Sequence, residues 1–258
     1  MSTAVLPAPV SSAGAQTRPG LWRLTLVELR KMTDTRAGFW LLLTTVALTV
    51  LIVVVAAFAF SSEDAKLLNF LSIATVPATV LMPVVGILLV TSEWNQRTAM
   101  ITFTLVPDRG RVLLAKLLAG VLLALIAFQL CLICGLLATA AAGDDGDATW
   151  SLSAALIGQA LFSVAVPMIS GVAFGAVLLA SAPAIVLYFV LPTVWGILGE
   201  IPALEGVARW LDTGRTMSPL LEESLSATEW ARVGTSLALW LLVPLALGVW
   251  RVLRADVR

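Results

Sequence analysis

Charged positions along this chain are sparse and clustered, which leaves long stretches with none. Residues 37–60 form a run of 24 without Asp, Glu, Lys or Arg, residues 67–92 a run of 26, and residues 117–143 a run of 27. Residues 148–199 continue uncharged for 52 positions and residues 233–250 for 18. A bilayer hydrocarbon core of about 30 Å takes about 20 helical residues to cross, so each of the first three runs predicts one transmembrane helix. At ~1.5 Å per residue the longest run would extend about 78 Å as a single helix, far more than one crossing. It must fold back, and Ser181-Ala182-Pro183 is the predicted break because proline ends or kinks a helix. The pattern predicts an all-α polytopic membrane protein with six spans, at about 37–60, 67–91, 112–142, 150–180, 183–199 and 232–250.

Composition agrees and excludes several chemistries. The 258 residues are 59% hydrophobic and 12% charged, against about 45–50% and about 25% in soluble domains. The chain has no histidine, which removes the imidazole base, the triad orienter and the commonest metal ligand. No acid lies within an uncharged run to build a hydrolytic dyad, so no catalytic, cofactor-binding or metal-binding residues are assigned. The two cysteines, Cys131 and Cys134, sit in the apolar run Ala-Phe-Gln-Leu-Cys-Leu-Ile-Cys-Gly with nothing basic beside them. They read as small helix- or lipid-facing hydrophobes rather than a redox pair. The first run begins after 36 residues and is followed by Ser61-Ser62-Glu63-Asp64, unlike a signal peptide. Residues 1–20, rich in Ala, Pro, Ser and Gly in no periodic order, are expected to form a disordered cytoplasmic tail.

The formal net charge is zero, from 16 basic and 16 acidic residues, but the charges are segregated. With the N-terminal tail cytoplasmic, alternate crossings place twelve Lys and Arg inside against four outside, and five acids inside against eleven outside. The excess of Lys and Arg predicts both termini on the cytoplasmic side. Residues 21–36 precede the first span as a basic amphipathic segment. Trp22, Leu26, Leu29 and Thr33 share one helical face, and Arg23, Arg30, Lys31 and Asp34 lie opposite. This pattern predicts an interfacial helix on the bilayer, with Trp22, Leu26, Leu29 and Arg30 as its anchoring residues. Two roles stay open for it, a simple membrane anchor or a surface that also touches a cytoplasmic partner.

The segment 92–111 is long for a helix connection. It has a polar head, Glu93-Trp-Asn-Gln-Arg-Thr98, then alternating threonine and apolar residues, then a Pro-Asp-Arg-Gly turn. Glu-Trp-Asn-Gln-Arg-Thr, followed by Thr-Leu-Val-Pro-Asp-Arg-Gly-Arg-Val-Leu-Leu-Ala-Lys-Leu, resembles the loop between the second and third spans of bacterial ABC-transporter permeases of the type-2 exporter class. That family shows Glu-Tyr, a short polar stretch, Gly-Thr, and a Pro-x-Arg-x-Arg turn leading into an Ala-Lys-Leu helix. Trp94 stands for the tyrosine, and Arg97 stands where a glycine is common. Glu-Leu-Arg-Lys-Met-Thr-Asp-Thr-Arg-Ala-Gly-Phe-Trp-Leu also resembles the family's approach to its first span, and the likeness covers roughly residues 21–254.

The resemblance implies the permease half of an exporter in a bacterial plasma membrane, not itself an enzyme. Two such permease domains (37–254) pair, as identical or homologous subunits, and each docks a separate ABC ATPase that binds ATP and Mg. The implied ATPase-coupling residues are Glu93, Trp94, Arg97, Thr98, Arg109 and Arg111. Glu93 and Arg97 read equally well as a solvated i, i+4 pair. The implied pathway residues, in spans two and five at the dimer interface, are Asn69, Thr75, Thr79, Tyr188 and Trp195, with ordinary helix packing as the alternative. The chain has no Gly-x-x-x-x-Gly-Lys-Ser/Thr loop, consistent with an external energy source. A secondary carrier would keep an ionisable group within the membrane. Only Lys116 touches a span, and there it is expected to snorkel to the interface. A secondary carrier and an accessory subunit without its own pathway remain the alternatives, and no nucleic-acid partner is expected.

Two further features complete the reading. Gly171 and Gly175 form a small-xxx-small pattern suited to close helix packing within the subunit. In the outer loop, Ile201, Leu204, Val207, Ala208 and Leu211 recur at helical spacing, and Ser226-Ala-Thr-Glu229 is a capping-box pattern before the last span. The family often has short re-entrant or interfacial helices here.

Overall fold

The computed structural model describes residues 20–61, 64–142, 147–222 and 224–254. Apart from Gly20, the expectation for the N-terminal tail lies outside them. In chain order the helices are α1 (Leu21–Asp34), α2 (Arg36–Ala59), α3 (Leu67–Asn95), α4 (Ala99–Leu105), α5 (Arg109–Ala142), α6 (Asp147–Trp150), α7 (Ala154–Leu178), α8 (Ser181–Leu198), α9 (Glu205–Leu211) and α10 (Thr213–Met217). A 3₁₀ turn (Ser218–Leu221) leads to α11 (Ala227–Leu237), a π-helical turn (Ala238–Leu242) and α12 (Val243–Arg254). The described residues contain no strand. Among the described residues six segments are long and apolar enough to cross a membrane: α2, α3, α5, α7, α8 and the continuous run Ala227–Arg254. The architecture is that of a multi-pass, all-α membrane protein.

The breaks follow local chemistry. The long uncharged run divides where α7 ends on Leu179, whose φ of 54° is left-handed, and Pro183 then falls in the first turn of α8, where its missing N–H is harmless. Ser153 starts α7 four residues later than the hydropathy pattern suggests, its hydroxyl accepting from the Leu156 amide. The capping box at Ser226 forms in full. Ser226 accepts from the Glu229 amide, and the Glu229 carboxylate accepts from the Ser226 amide at 2.7 Å. The largest departure concerns the second span. It runs on to Asn95, so Glu93 belongs to the last turn of a helix rather than to a solvated loop.

α3 and α7 form the centre, with α2, α5 and α12 packed around them and α8 on one flank. Two glycines set the close crossing. A Cβ on Gly171 would stand 2.1 Å from the Pro83 carbonyl oxygen, and one on Gly86 would stand 2.4 Å from that of Met168. Both obstacles are backbone, so only glycine lets the two helices approach this closely. Cross-links between helix ends gather one end of the bundle. Thr91 and Asn95 meet Ser181, both at 2.6 Å, and Arg109 donates to the Val252 carbonyl at 3.3 Å. That end holds α1, the last turn of α3, the first of α5, the α7–α8 junction and the end of α12. At the other end parts of the 200–222 segment pack onto the bundle. Leu220 is fully buried, Gln159 donates to its carbonyl at 3.2 Å, and Trp240 donates to the Leu211 carbonyl at 2.7 Å.

The α3–α7 crossing makes a direct prediction. Gly171→Ala is expected to destabilise the protein by about 1–3 kcal/mol or more, because an inserted methyl must push two backbones apart. Gly158→Ala, on the same helix with nothing within 4 Å of the new Cβ, is expected to be neutral or slightly stabilising. Thermal unfolding of the two detergent-solubilised variants checks the contrast, and equal midpoints would refute the crossing.

Candidate functional site

At the α1 end four charged side chains form a closed ring of alternating sign. Lys31 Nζ donates to Glu28 Oε1 at 2.7 Å and to Glu93 Oε1 at 2.6 Å. Lys116 Nζ donates to Glu28 Oε2 at 2.6 Å and stands 3.4 Å from Glu93 Oε2. Each carboxylate therefore touches both ammoniums. Side-chain exposure is 5% for Lys116, 6% for Glu28 and 7% for Glu93, while Lys31 keeps 40%. The ring is thus buried on three sides and open to solvent at Lys31.

Three spans of sequence converge to build it. α1 has not two faces but three flanks. Thr25, Glu28 and Met32 turn into the bundle, Trp22 and Leu26 are exposed, and Arg23, Arg30 and Asp34 are exposed on the third flank. At 100° per residue the Trp22–Leu26 stripe lies about 100° around from the buried one, so the helix can rest on the bundle while showing an apolar edge elsewhere. α3 supplies Glu93 from its last turn. α5 supplies Lys116 from two turns inside its start, where Lys116 also donates to the Leu89 carbonyl at 2.9 Å. α4 adds one further contact, Thr102 donating to Glu93 Oε1 at 3.2 Å.

Removing a charge from water costs several kcal/mol per ion, and mutual attraction offsets this only where geometry is good and the remaining lone pairs are satisfied. The ring meets both conditions and its formal charge sums to zero. Burial pulls the Lys31 ammonium toward the neutral form, but the Glu28 and Glu93 carboxylates and their hydrogen bonds outweigh it and hold the group above 10.5. A lysine raised on folding stabilises the folded state fully below its ordinary value, and that contribution fades only as pH climbs through the raised one. The Lys31 contribution therefore persists through neutral pH and is lost above about pH 10.5.

Two sequence expectations are corrected. Lys116 does not snorkel to the interface, since two carboxylates and a carbonyl hold it inward. Glu93 forms no solvated pair with Arg97, because its carboxylate is turned into the ring. Arg97 is exposed, with a φ of 58°. This left-handed conformation favours glycine. Trp94 is half-buried, and its carbonyl accepts from the Arg97 amide at 3.2 Å. The Thr98 amide donates to the Glu93 carbonyl at 2.9 Å. Arg109 reaches Val252, and the Arg111 amide donates to Asp108 Oδ1 at 3.1 Å. Of the six expected coupling residues only Glu93 belongs to the ring.

Glu28 and Lys31 were assigned no site role from sequence, and Lys116 only a surface one. One signal pointed to them: a lone lysine two turns inside a span requires an acid, and Glu93 and Glu28 are the acids that flank the neighbouring segments. On α1, Trp22 is 61% exposed and Leu26 44% exposed, Leu29 packs half-buried on the core, and Arg30 pairs with Asp34 at 3.3 Å.

The five pathway residues separate. Asn69 ties the α2–α3 turn by donating to the Asp64 carbonyl at 2.9 Å, and buried Thr75 donates to the Ser72 carbonyl at 2.8 Å. Thr79 and Tyr188 line one cavity of about 240 Å³, and Trp195 lines a neighbouring one of about 310 Å³. Cys131 is buried with its Sγ 3.2 Å from the Ala74 carbonyl, and both cysteines are free.

The ring makes a sharp prediction. Lys116→Met leaves two buried carboxylates facing one lysine and is expected to cost about 3–5 kcal/mol. Adding Glu28→Gln restores the charge balance, so the double variant is expected to recover part of that loss, with a coupling of about 0.5–3 kcal/mol. Additive losses in thermal unfolding would refute the ring. Comparison with protein-family profiles and with curated proteins returns no match for this chain.

Proposed function

We propose that this chain is the membrane-spanning permease subunit of an ATP-driven ABC exporter, with both termini cytoplasmic and α1 as an interfacial helix. The observation that carries this reading is the position of α4. It is a short helix between the second and third spans, beside the buried ring, and it leaves Met100, Ile101 and Leu105 exposed. Ile101 is 60% and Leu105 74% exposed. On this reading the ATPase seats on that apolar surface. A push on α4 passes through Thr102 to Glu93, and the ring carries it to α1, α3 and α5 together.

Three further observations support it. The end that holds the ring also holds Arg23, Arg30, Arg36, Arg97, Arg109, Arg111, Arg251 and Arg254, as the cytoplasmic face of a membrane protein should. Trp22 and Leu26 form an apolar edge beside a charged one, as a helix lying in the interface requires. Residue 97, where the family's loop commonly has glycine, takes the backbone conformation for which glycine is suited. Pairing with a second permease domain is supported by α8, of which only Ala184 is buried, leaving Val186, Val190, Val194 and Ile197 outward. The bacterial plasma membrane is the location this reading entails.

The buried carboxylates give an ion-coupled carrier one observation in its favour. Each already contacts two ammoniums, however, so the ring has no spare negative charge with which to bind a cation.

Docking is tested on α4, not on Glu93. A Glu93→Lys reversal would set three lysines around Glu28 and disrupt the ring, so it reports on folding as well as on docking. Ile101→Asp and Leu105→Asp are expected to weaken association with the partner ATPase by about 10-fold or more, since a charge replaces an apolar anchor. Membrane insertion and the unfolding midpoint should stay unchanged. Undiminished co-purification of the ATPase with both variants would sink the docking surface. A companion measurement concerns Arg97→Gly, expected to raise stability by up to about 1 kcal/mol by relieving the left-handed backbone.

A further inference from the structure

The two cavities beside α8 share Phe174 and Trp240 in their walls. The one of about 240 Å³ lies between α3, α7, α8 and the π-helical turn, with α10 contributing Thr213 and Met217 to its rim, and the one of about 310 Å³ lies between α7, α8, the π-helical turn and α12. Neither wall contains an Asp, Glu, Lys or Arg. The hydroxyl-lined cavity is not merely a packing gap. Ser170 is 93% buried by residue (7% exposed) and opens on it, and its hydroxyl makes no hydrogen bond among the described residues. The same holds for the side chains of Tyr188 and Thr213 on the facing walls. Next door, the Trp195 Nε1 is buried without a partner among the described residues. These hydroxyls open on the cavity instead of meeting a protein partner, so whatever occupies it must supply their hydrogen bonds. The π-helical turn that supplies Trp240 is itself a rare feature often found at functional positions.

We propose that this cavity binds an uncharged lipophilic molecule bearing a hydrogen-bond acceptor such as a carbonyl. Each part of the class follows from the walls. The aromatic and aliphatic lining, Phe174, Phe189 and Pro192 among it, takes an apolar body. The hydroxyls of Ser170 and Tyr188 supply donors to a carbonyl oxygen. A charged ligand would leave water with no counter-charge to meet it. Exposed Val80 and Phe189 at the rim place the mouth on the side of the subunit rather than at either end of the bundle, so the ligand enters laterally. The proposal rests on the permease reading only in making the occupant cargo. Binding needs no ATPase, so it stands or falls separately from docking on α4.

Benzophenone suits the test, since it is a neutral, photoreactive ketone. The full-length protein in detergent is photolabelled with benzophenone or with 4-benzoylbenzoate, which carries the same photophore and a carboxylate, and the labelled peptides are mapped. Benzophenone should label α7, α8 and the π-helical turn at least about 10-fold more than the anion does. Ser170→Phe, which fills the cavity, should abolish that labelling. Because an overfilled α7 can fail to fold, Ser170→Ala and Tyr188→Phe provide the second measurement, each weakening labelling about 2- to 10-fold through a lost hydrogen bond with the volume kept. Repeating the labelling in phosphatidylcholine nanodiscs separates two sources of the acceptor. Suppression by the lipid assigns it to a lipid ester carbonyl, and persistence assigns it to a free lipophile. Labelling spread evenly over outward-facing helices and indifferent to the hydroxyl variants overturns the site, and equal labelling by the anion overturns its selectivity for uncharged ligands.

Discussion

The rest of the structure depends on four charges that would each be unfavourable alone where they sit. A buried lysine or glutamate without a partner would neutralise itself or force the bundle open. Glu28, Lys31, Glu93 and Lys116 avoid this because each sees two opposite charges, and a lysine–carbonyl and a threonine–carboxylate bond use up further capacity. The arrangement is demanding. It requires α1 to lie on α5 with Glu28 inward, α3 to extend past its apolar stretch, and α5 to place Lys116 at the matching depth. Few alternative packings would satisfy all four groups at once. The ring therefore acts more as a specifier of how three helices meet than as a large source of stability, in keeping with the near balance of attraction and desolvation for buried ion pairs.

The same constraint explains why the middle of the bundle is built from small residues. Once the ring fixes the ends of α3 and α5, the core of the molecule must fit around α3 over its whole length. α7 fits by bringing Gly171 against Pro83 and Met168 against Gly86, backbone to backbone. Contacts of that kind do not stretch gradually, and packed interfaces tend to hold one arrangement or jump to another. A displacement at the ring would then be carried along α3 as a rigid body rather than absorbed near its origin.

Much of this was legible in the sequence for one reason: a bilayer leaves no room for charge in a span. The uncharged runs mark all six spans, and the break at Ser181 follows from the length of one run and a single proline. Ser226 and Glu229 announce their cap through spacing alone. The ring was not legible from α1 because the amphipathic pattern was sought as two opposing faces. Glu28 belongs to a third flank, turned toward protein rather than toward water or lipid, and a helical wheel with two labels has no place for it. The inward turn of Lys116 is hidden for a related reason. Its depth of two turns permits snorkelling, and only the three-dimensional nearness of Glu93 and Glu28 shows why it turns inward. The cavity by α8 was half visible. Thr79 and Tyr188 are among the pathway residues that the family resemblance implies, but Ser170, in a plain stretch of α7, carries no local signal.

Distance along one helix then joins the two ends. Thr79 and Glu93 stand 14 residues apart on α3, about 21 Å at the helical rise, one at the rim of the cavity and one in the ring. α3 stays helical between them although Pro83 interrupts its hydrogen-bond ladder, and its burial by α2, α5 and α7 limits how far it can bend there. α8, which forms the opposite wall of the cavity, is buried only at Ala184 and is joined to the ring end through Ser181, whose hydroxyl meets Thr91 and Asn95 of α3. A movement of α3 therefore pulls the start of α8 with it while the far half of α8 is held by little. Of the walls of the cavity, the far part of α8 that carries Pro192 and Thr193 is restrained least, and α7, which carries Ser170, is restrained most. On the permease reading, that inequality is what would let a push at the cytoplasmic end change the shape of the cavity without loosening the core.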